Sequence, residues 1–299
     1  MRELLEVLGS RRVARWQAGG SGYYDLGSPS WMPTTQATWT LLLLLRARGA
    51  TTAGHRIWTM ENAGTATHVG WNGTAGQVRC VINRATTDTN YNTGSNTLVP
   101  TSGEWTWMLI TVNSGAGAAA KIGFARRLWA RGAPETIAAT VSNEGSGAVA
   151  HQLPIALGSP AAGATANVDV AAYALWTGAQ LTAAQTKQLL ALGDLEILGA
   201  LATRGNAFRA VLPATHVLRQ VHFPGTEWTG GGINPVDGTR YTIGSAVGYA
   251  VGVAPPIPWQ RARDQAFGGL VSTFPDWLVR RPRLVPPRPD PAAIVRRVA

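Results

Sequence analysis

The side chains best placed for chemistry are aromatic rings set beside carboxamides, in Trp71-Asn72-Gly73 and Asn90-Tyr91-Asn92. A ring of this kind offers a flat apolar face for a sugar to stack on, and the neighbouring amides supply donors and acceptors for its hydroxyls. Trp71, Asn72, Asn90, Tyr91 and Asn92 are therefore the expected glycan platform in a chain with 12 tryptophans. Against this stand Trp39, Trp105, Trp107 and Trp176, which fall on alternating stretches where an indole belongs in the core. Calcium needs about six to eight oxygen ligands. Asp88 with Asn83, Asn90 and Asn92 forms the single suitable loop, and its one carboxylate favours a solvated turn instead. No cofactor is expected.

Other reactive groups are dispersed. The five histidines, His55, His68, His151, His216 and His222, lack zinc-ligand spacing, and no Gly-x-Ser-x-Gly elbow marks a serine nucleophile. Asp25, Glu61, Asp88, Glu104, Glu135, Glu144 and Asp169 stand singly, which suits structural or surface roles. The lone Cys80 lies in the alternating run from Gln77 to Arg84 and is expected to face inward. The chain is read as non-enzymatic.

The elements that must carry these residues are mostly short strands. Met1 to Trp16 reads as a short amphipathic helix, followed by glycines and a first strand at Tyr23 to Leu26. Thr38 to Arg48 puts Trp39, Leu41, Leu43 and Leu45 on one face and Thr40, Leu42, Leu44 and Arg46 on the other, the mark of a strand covered on both sides. Runs follow at 55–62, 66–72 and 77–84, with Asn62-Ala63-Gly64 and Asn72-Gly73 as turns. A polar loop spans 85–96, and further runs lie at 104–113, 119–130, 148–157 and 167–176. Leu181-Thr182 with Gln185 forms a staple and capping box for one short helix, and Gly193 is expected as its left-handed stop. Beyond Gly199, residues 208–221 read as a strand pair broken by Pro213, and 241–253 as a Gly/Val-rich stretch.

Composition adds a second theme. Only 14% of the residues are charged, against a usual share of about 25%. Such a surface suits a protein covered by neighbours, hence a multi-copy or homo-oligomeric assembly. The longest aliphatic run, Leu41 to Leu45, is too short to span a bilayer, so no membrane insertion is expected. With one cysteine and no export signal, folding in a reducing cytoplasm is the simplest history. The net charge of +10 is concentrated in a tail where Arg261, Arg263, Arg280, Arg281, Arg283, Arg288, Arg296 and Arg297 face three acids, Asp264, Asp276 and Asp290. Trp259, Phe267, Phe274, Trp277 and Leu278 punctuate this Pro/Arg-rich stretch as apolar anchors. The pattern fits an extended arm in a partner's groove, its arginines, chiefly Arg280, Arg281, Arg283 and Arg288, meeting acidic surfaces or nucleic acid.

Three segments taken in order resemble the laminin-G-like, concanavalin-A-like family. They are the strand from Thr38 to Arg48, the hairpin from Glu104 to Val112 with its return at Lys121 to Phe124, and the strand from Asn167 to Trp176 followed by the capped helix at Leu181 to Leu189. The resemblance implies an all-β, two-sheet jelly-roll sandwich with one short closing helix and extended N- and C-terminal arms. It divides the chain into an N-terminal arm or short helix (1–17), the jelly-roll domain (18–193), an extension with a short helix and β segments (194–254) and the extended arm (255–299). Some enzymes of this fold use Glu-x-Asp-x-x-Glu to cleave β-glucans, and that spacing is missing here. Fold and composition together resemble structural proteins of tailed-bacteriophage virions, made in the host cytoplasm. The expected function is a capsid decoration (cement) or tail protein that binds other virion proteins. The alternative is a carbohydrate-binding adhesin for surface glycans.

Overall fold

The computed structural model describes residues 12–17, 19–20, 22–35, 37–62, 65–73, 76–95, 97–115, 122–130, 132–203, 206–224, 233–245 and 249–253. Of the expected arms, residues 1–11 of the N-terminal one (1–17) and the whole of the C-terminal one (255–299) lie outside the described residues. Within them the chain is mostly β, with two eight-stranded antiparallel sheets. The first sheet runs β10 (Glu135–Ile137), β9 (Ile122–Leu128), β8 (Thr106–Asn113), β3 (Thr38–Ala47), β13 (Val168–Thr177), β1 (Arg12–Trp16) and β16 (Tyr249–Val253), and β14 (Val217–His222) also pairs with β13. The second runs β11 (Thr140–Asn143), β7 (Thr89–Asn92), β6 (Val78–Ile82), β5 (Thr65–Trp71), β4 (Arg56–Asn62), β12 (Ile155–Gly158), β2 (Tyr23–Asp25) and β15 (Thr242–Ser245).

Alternation explains how the sheets pack. Trp39, Leu41, Leu43 and Leu45 of β3 join Trp58, Val69, Trp71 and Cys80 of the second sheet in the core between the sheets. Leu42 and Leu44 of the same strand point the other way, into a second core with Trp107, Trp176, Leu189, Leu190, Ile197 and Leu201. Two helices supply that outer layer, α1 (Ala183–Ala191) and α2 (Asp194–Ala202). The molecule is thus a β-sandwich with helices on one outer face. Among the described residues no helix is long and apolar enough to cross a membrane.

The capping box of α1 is present: Thr182 Oγ1 accepts from the Gln185 N–H at 3.2 Å, and Gln185 Oε1 accepts from the Thr182 N–H at 2.9 Å. Gly193 is not a left-handed stop. Its φ is −58°, and it is the N-cap of α2, whose Glu196 carboxylate accepts its N–H at 2.6 Å. One closing helix thereby becomes two. Asp194 anchors the second by accepting from Trp107 Nε1 and from the Ala130 N–H, both at 2.8 Å, and by pairing with Arg127.

Other local expectations change where distant strands intervene. Arg12–Trp16, read as the end of a helix, is strand β1, because the edges of β13 and β16 receive its backbone and Ala14 and Trp16 fill the inter-sheet core. The stretch 208–221 is not a strand pair: a 3-10 turn at Asn206–Ala210 precedes the single strand β14. The polar loop at 85–96 contains β7, whose Thr89 and Tyr91 are buried. Strands β1, β14, β15 and β16 all lie outside 18–193 yet complete both sheets.

The helix-side face of the first sheet admits one buried carboxylate. Asp169 on β13 is flanked by Arg46 of β3 and Arg15 of β1, its direct cross-strand neighbours. Arg15 Nε reaches Oδ1 at 2.8 Å, Arg46 Nη2 reaches Oδ2 at 2.7 Å, and Arg46 also lies over the Trp105 ring, 5.0 Å from its centroid. Removing the shared carboxylate leaves Arg15, Arg46 and Arg48, whose Nε lies 3.9 Å from Oδ1, as like charges without their acid. Asp169→Ala is expected to cost about 3 to 5 kcal/mol, measured by urea unfolding. Arg46→Met should cost less, since Arg15 keeps its partner. Equal losses in the two variants would contradict the shared bridge.

Candidate functional site

The expected sugar platform does not assemble. Trp71 is fully buried among the inter-sheet residues, and Tyr91 is only 1% exposed, its hydroxyl donating to Glu144 Oε1 at 3.4 Å. Burial and Glu144 push the Tyr91 phenol up to about 12. Both rings share strand parity with core neighbours, Trp71 with Val69 and Tyr91 with Cys80 opposite it. Neither face is open for stacking. Asn72 lies at the turn after β5, where its N–H donates to the Gln77 carbonyl at 2.9 Å, while Asn90 and Asn92 point to the outer side of the second sheet.

The calcium loop also divides. Asp88 Oδ1 accepts from the Arg84 N–H at 3.1 Å, Asn92 Oδ1 accepts from the Gly94 N–H at 2.8 Å, and the Asn83 amide donates to the Ala150 carbonyl. These groups serve separate turns rather than a common centre. Among the described residues, no group of three or more His, Cys, Asp or Glu could hold a metal ion. Trp259, Phe267, Phe274, Trp277, Leu278, Arg280, Arg281, Arg283 and Arg288 lie outside the described residues.

The structure instead gathers polar groups on the outer face of the second sheet. Register sets two rows across it. One runs Thr59, His68, Val81, Asn90, and the next runs Arg56, Gly70, Arg79, Asn92. Arg56 extends along β4 to pair with Glu61, whose other oxygen accepts from Ser159 Oγ at 3.0 Å. Gly70 keeps the middle of the second row clear of side chains. A Cβ there would stand 2.3 Å from the His55 carbonyl oxygen, which accepts the Trp71 N–H. Nothing but glycine fits beneath that carbonyl.

Several polar atoms on this face are buried without a hydrogen-bond partner among the described residues. They are Arg56 Nε, Arg79 Nε, Asn90 Oδ1 and both ring nitrogens of His68. Burial, reinforced by the Arg56 and Arg79 charges, pushes His68 down to about 3, with the Ala66 carbonyl offsetting a little of this. His68 is therefore a neutral ring with one donor and one acceptor nitrogen. Sequence reading passed over Arg56, His68 and Arg79 because they are single residues on three different strands. The available signal was parity: each alternates with a core residue, Ile57, Val69 and Cys80 respectively.

Two further features lie on the first sheet. A cleft of about 390 Å³ opens beside β14, floored by Trp176 and Phe208 in edge contact and bordered by Arg209 and His216. At the far edge, β1 and β16 pair so that Arg12 and Val253 are direct partners. Arg12 and Val253, the first and last described residues, therefore lie at one corner of the sandwich.

Fold and surface together define a two-sheet β-sandwich with a polar outer face. Comparison with protein-family models and with curated proteins gives no match.

Three histidines make the body acid-sensitive. Burial pushes His68 and His222 down to about 3, and burial with the Arg84 charge pushes His151 down to about 4. In the unfolded chain each takes up a proton near pH 6.5. Below that pH the unfolded state holds more protons than the native one. Stability should therefore be intact above about pH 7 and fall as the pH drops toward about 4, by roughly 1.4 kcal/mol per pH unit for each histidine. Urea midpoints that stay level from about pH 7 to about pH 5 would contradict this.

Proposed function

We propose that this chain is a non-enzymatic structural component of a tailed-bacteriophage virion, a capsid decoration (cement) or tail protein. Its body is a concanavalin-A-like, laminin-G-like jelly roll, and the segments flanking that body bind neighbouring virion subunits. The observation that carries the reading is the pairing of Arg12 with Val253, which puts both ends of the described sandwich at one corner. Two segments that start together are suited to gripping the same neighbour. The C-terminal one has the composition for it, with five large apolar residues set among arginines.

The connectivity supports the jelly roll. The chain enters the first sheet at β1, crosses to the second for β2, returns for β3, and lays down β4 to β7 in the second before β8 to β10 in the first. Up to β13 the chain crosses between the sheets after β1, β2, β3, β7, β10 and β12, with meanders at β4 to β7 and β8 to β10, and two antiparallel sheets joined by such crossings suit a double-sheet jelly roll. Support for a non-enzymatic role comes from the carboxylates themselves: Glu61 is held by Arg56, Asp169 by Arg15 and Arg46, and Asp194 by Arg127. A carboxylate neutralised in this way is poorly placed to act as a general acid or base. The adhesin alternative loses its two stacking rings, since Trp71 and Tyr91 are in the core.

A chain truncated after Val253 retains every strand described above. It should give the far-ultraviolet spectrum and unfolding midpoint of the full chain while failing to enter assembled particles. Particles that take up the truncated chain at full copy number would overturn the proposal.

A further inference from the structure

We infer that the outer face of the second sheet binds an oxyanion, held by the guanidinium groups of Arg56 and Arg79 beside His68 and Asn90. The argument begins with charge. Two arginines stand on this face on either side of Gly70, and the carboxylate beside them, Glu61, is already taken by Arg56 and Ser159. Arg79 has no ion pair among the described residues, and its buried Nε meets no acceptor. Burial and the Arg56 charge both act against its protonated form. A partly desolvated cation beside a like charge is costly, and folded proteins match such charges with a counter-ion.

The Asp169 cluster shows what a satisfied site looks like in the same molecule. There the guanidinium groups of Arg15 and Arg46 both hydrogen-bond the shared carboxylate. On the second sheet Arg79 has no such carboxylate among the described residues, and the unpartnered atoms of Arg56, His68, Arg79 and Asn90 lie on one face of four consecutive strands. Guanidinium groups present paired N–H donors that match carboxylate, sulfate or phosphate oxygens. The unpartnered Asn90 Oδ1 needs a donor, which a hydroxyl adjacent to the acid group would supply. The ligand class is therefore an oxyanion carried on a hydroxylated molecule.

The test is thermal unfolding of the full chain in sodium sulfate, sodium acetate or sodium glucuronate, each against sodium chloride at matched ionic strength. At least one of the three should raise the midpoint above the chloride control. Sulfate stabilises folded proteins in general by exclusion from their surface, so the part of a response that Arg79→Met loses makes the assignment: for sulfate a tetrahedral acid group, for acetate and glucuronate a carboxylate, and for glucuronate above acetate a role for the hydroxyls. Arg79→Met, which keeps the bulk and removes the charge, should weaken the responding anion by about tenfold or more. In chloride this variant should be at least as stable as the parent, because it removes an unmatched charge. A purely structural arginine would give the reverse, a less stable variant with the anion response intact, and that result overturns the proposal. So does the absence of a response to all three anions. If Arg79→Met does not fold, the His68 imidazole signals of the unaltered chain decide. They shift on titration with the responding anion, or the site does not exist.

Discussion

Sheet one is covered on both faces, and this condition dictates the character of nearly every strand that joins it. Along β3, Leu41, Leu43 and Leu45 meet the second sheet while Leu42 and Leu44 meet the helical layer, so no side of the strand is left for polar residues. Burying a leucine contributes roughly 1.5 to 3 kcal/mol, and five in succession make this strand a centre on which β8 and β13 assemble. The same condition explains the small share of charged residues. Charges on this sheet are paired, Asp169 with Arg15 and Arg46 on the neighbouring strands and Arg127 with Asp194 of α2.

Covering one sheet completely leaves polar chemistry to the other. In the second sheet Trp58, Val69, Trp71 and Cys80 fill the shared core, and the residues alternating with them turn outward. Thr59, Glu61, His68, Arg79 and Asn90 are brought together by strand pairing alone, with no loop motif to announce them. Contact with Asp169 satisfies Arg15 and Arg46, whereas Arg79 has no acid partner among the described residues.

How much of this could be read from the sequence follows from the range of each interaction. The doubly covered strand at Thr38 to Ala47 was legible, since its periodicity is local, and so was the Thr182–Gln185 capping box. Strand β1 was not, because its partners Asp169 and Val253 lie far along the chain and the arginines near its end suit a helix terminus equally well. Strands β10 and β11 are short and largely exposed, so they carry no apolar alternation. Trp71-Asn72-Gly73 misled for a different reason. Its composition resembles a binding platform, but the inward position of Val69 also fixes the direction of Trp71. Parity within the strand outweighs the chemistry of the neighbouring residues.

The late strands alter what counts as the body of the protein. After α2 the chain returns to add β14 beside β13, β15 beside β2 and β16 beside β1, and the Ala14 N–H donates to the Pro224 carbonyl at 2.9 Å where β1 and β14 share one edge of β13. Strand β1 is consequently held from two sides, by β13 and by β16. Arg12 and Val253 are partners in the β1–β16 ladder, and Arg15 of the same strand reaches Asp169, which Arg46 of β3 also holds. The buried carboxylate thus ties the edge built by the late strands to the strand on which the sandwich is built.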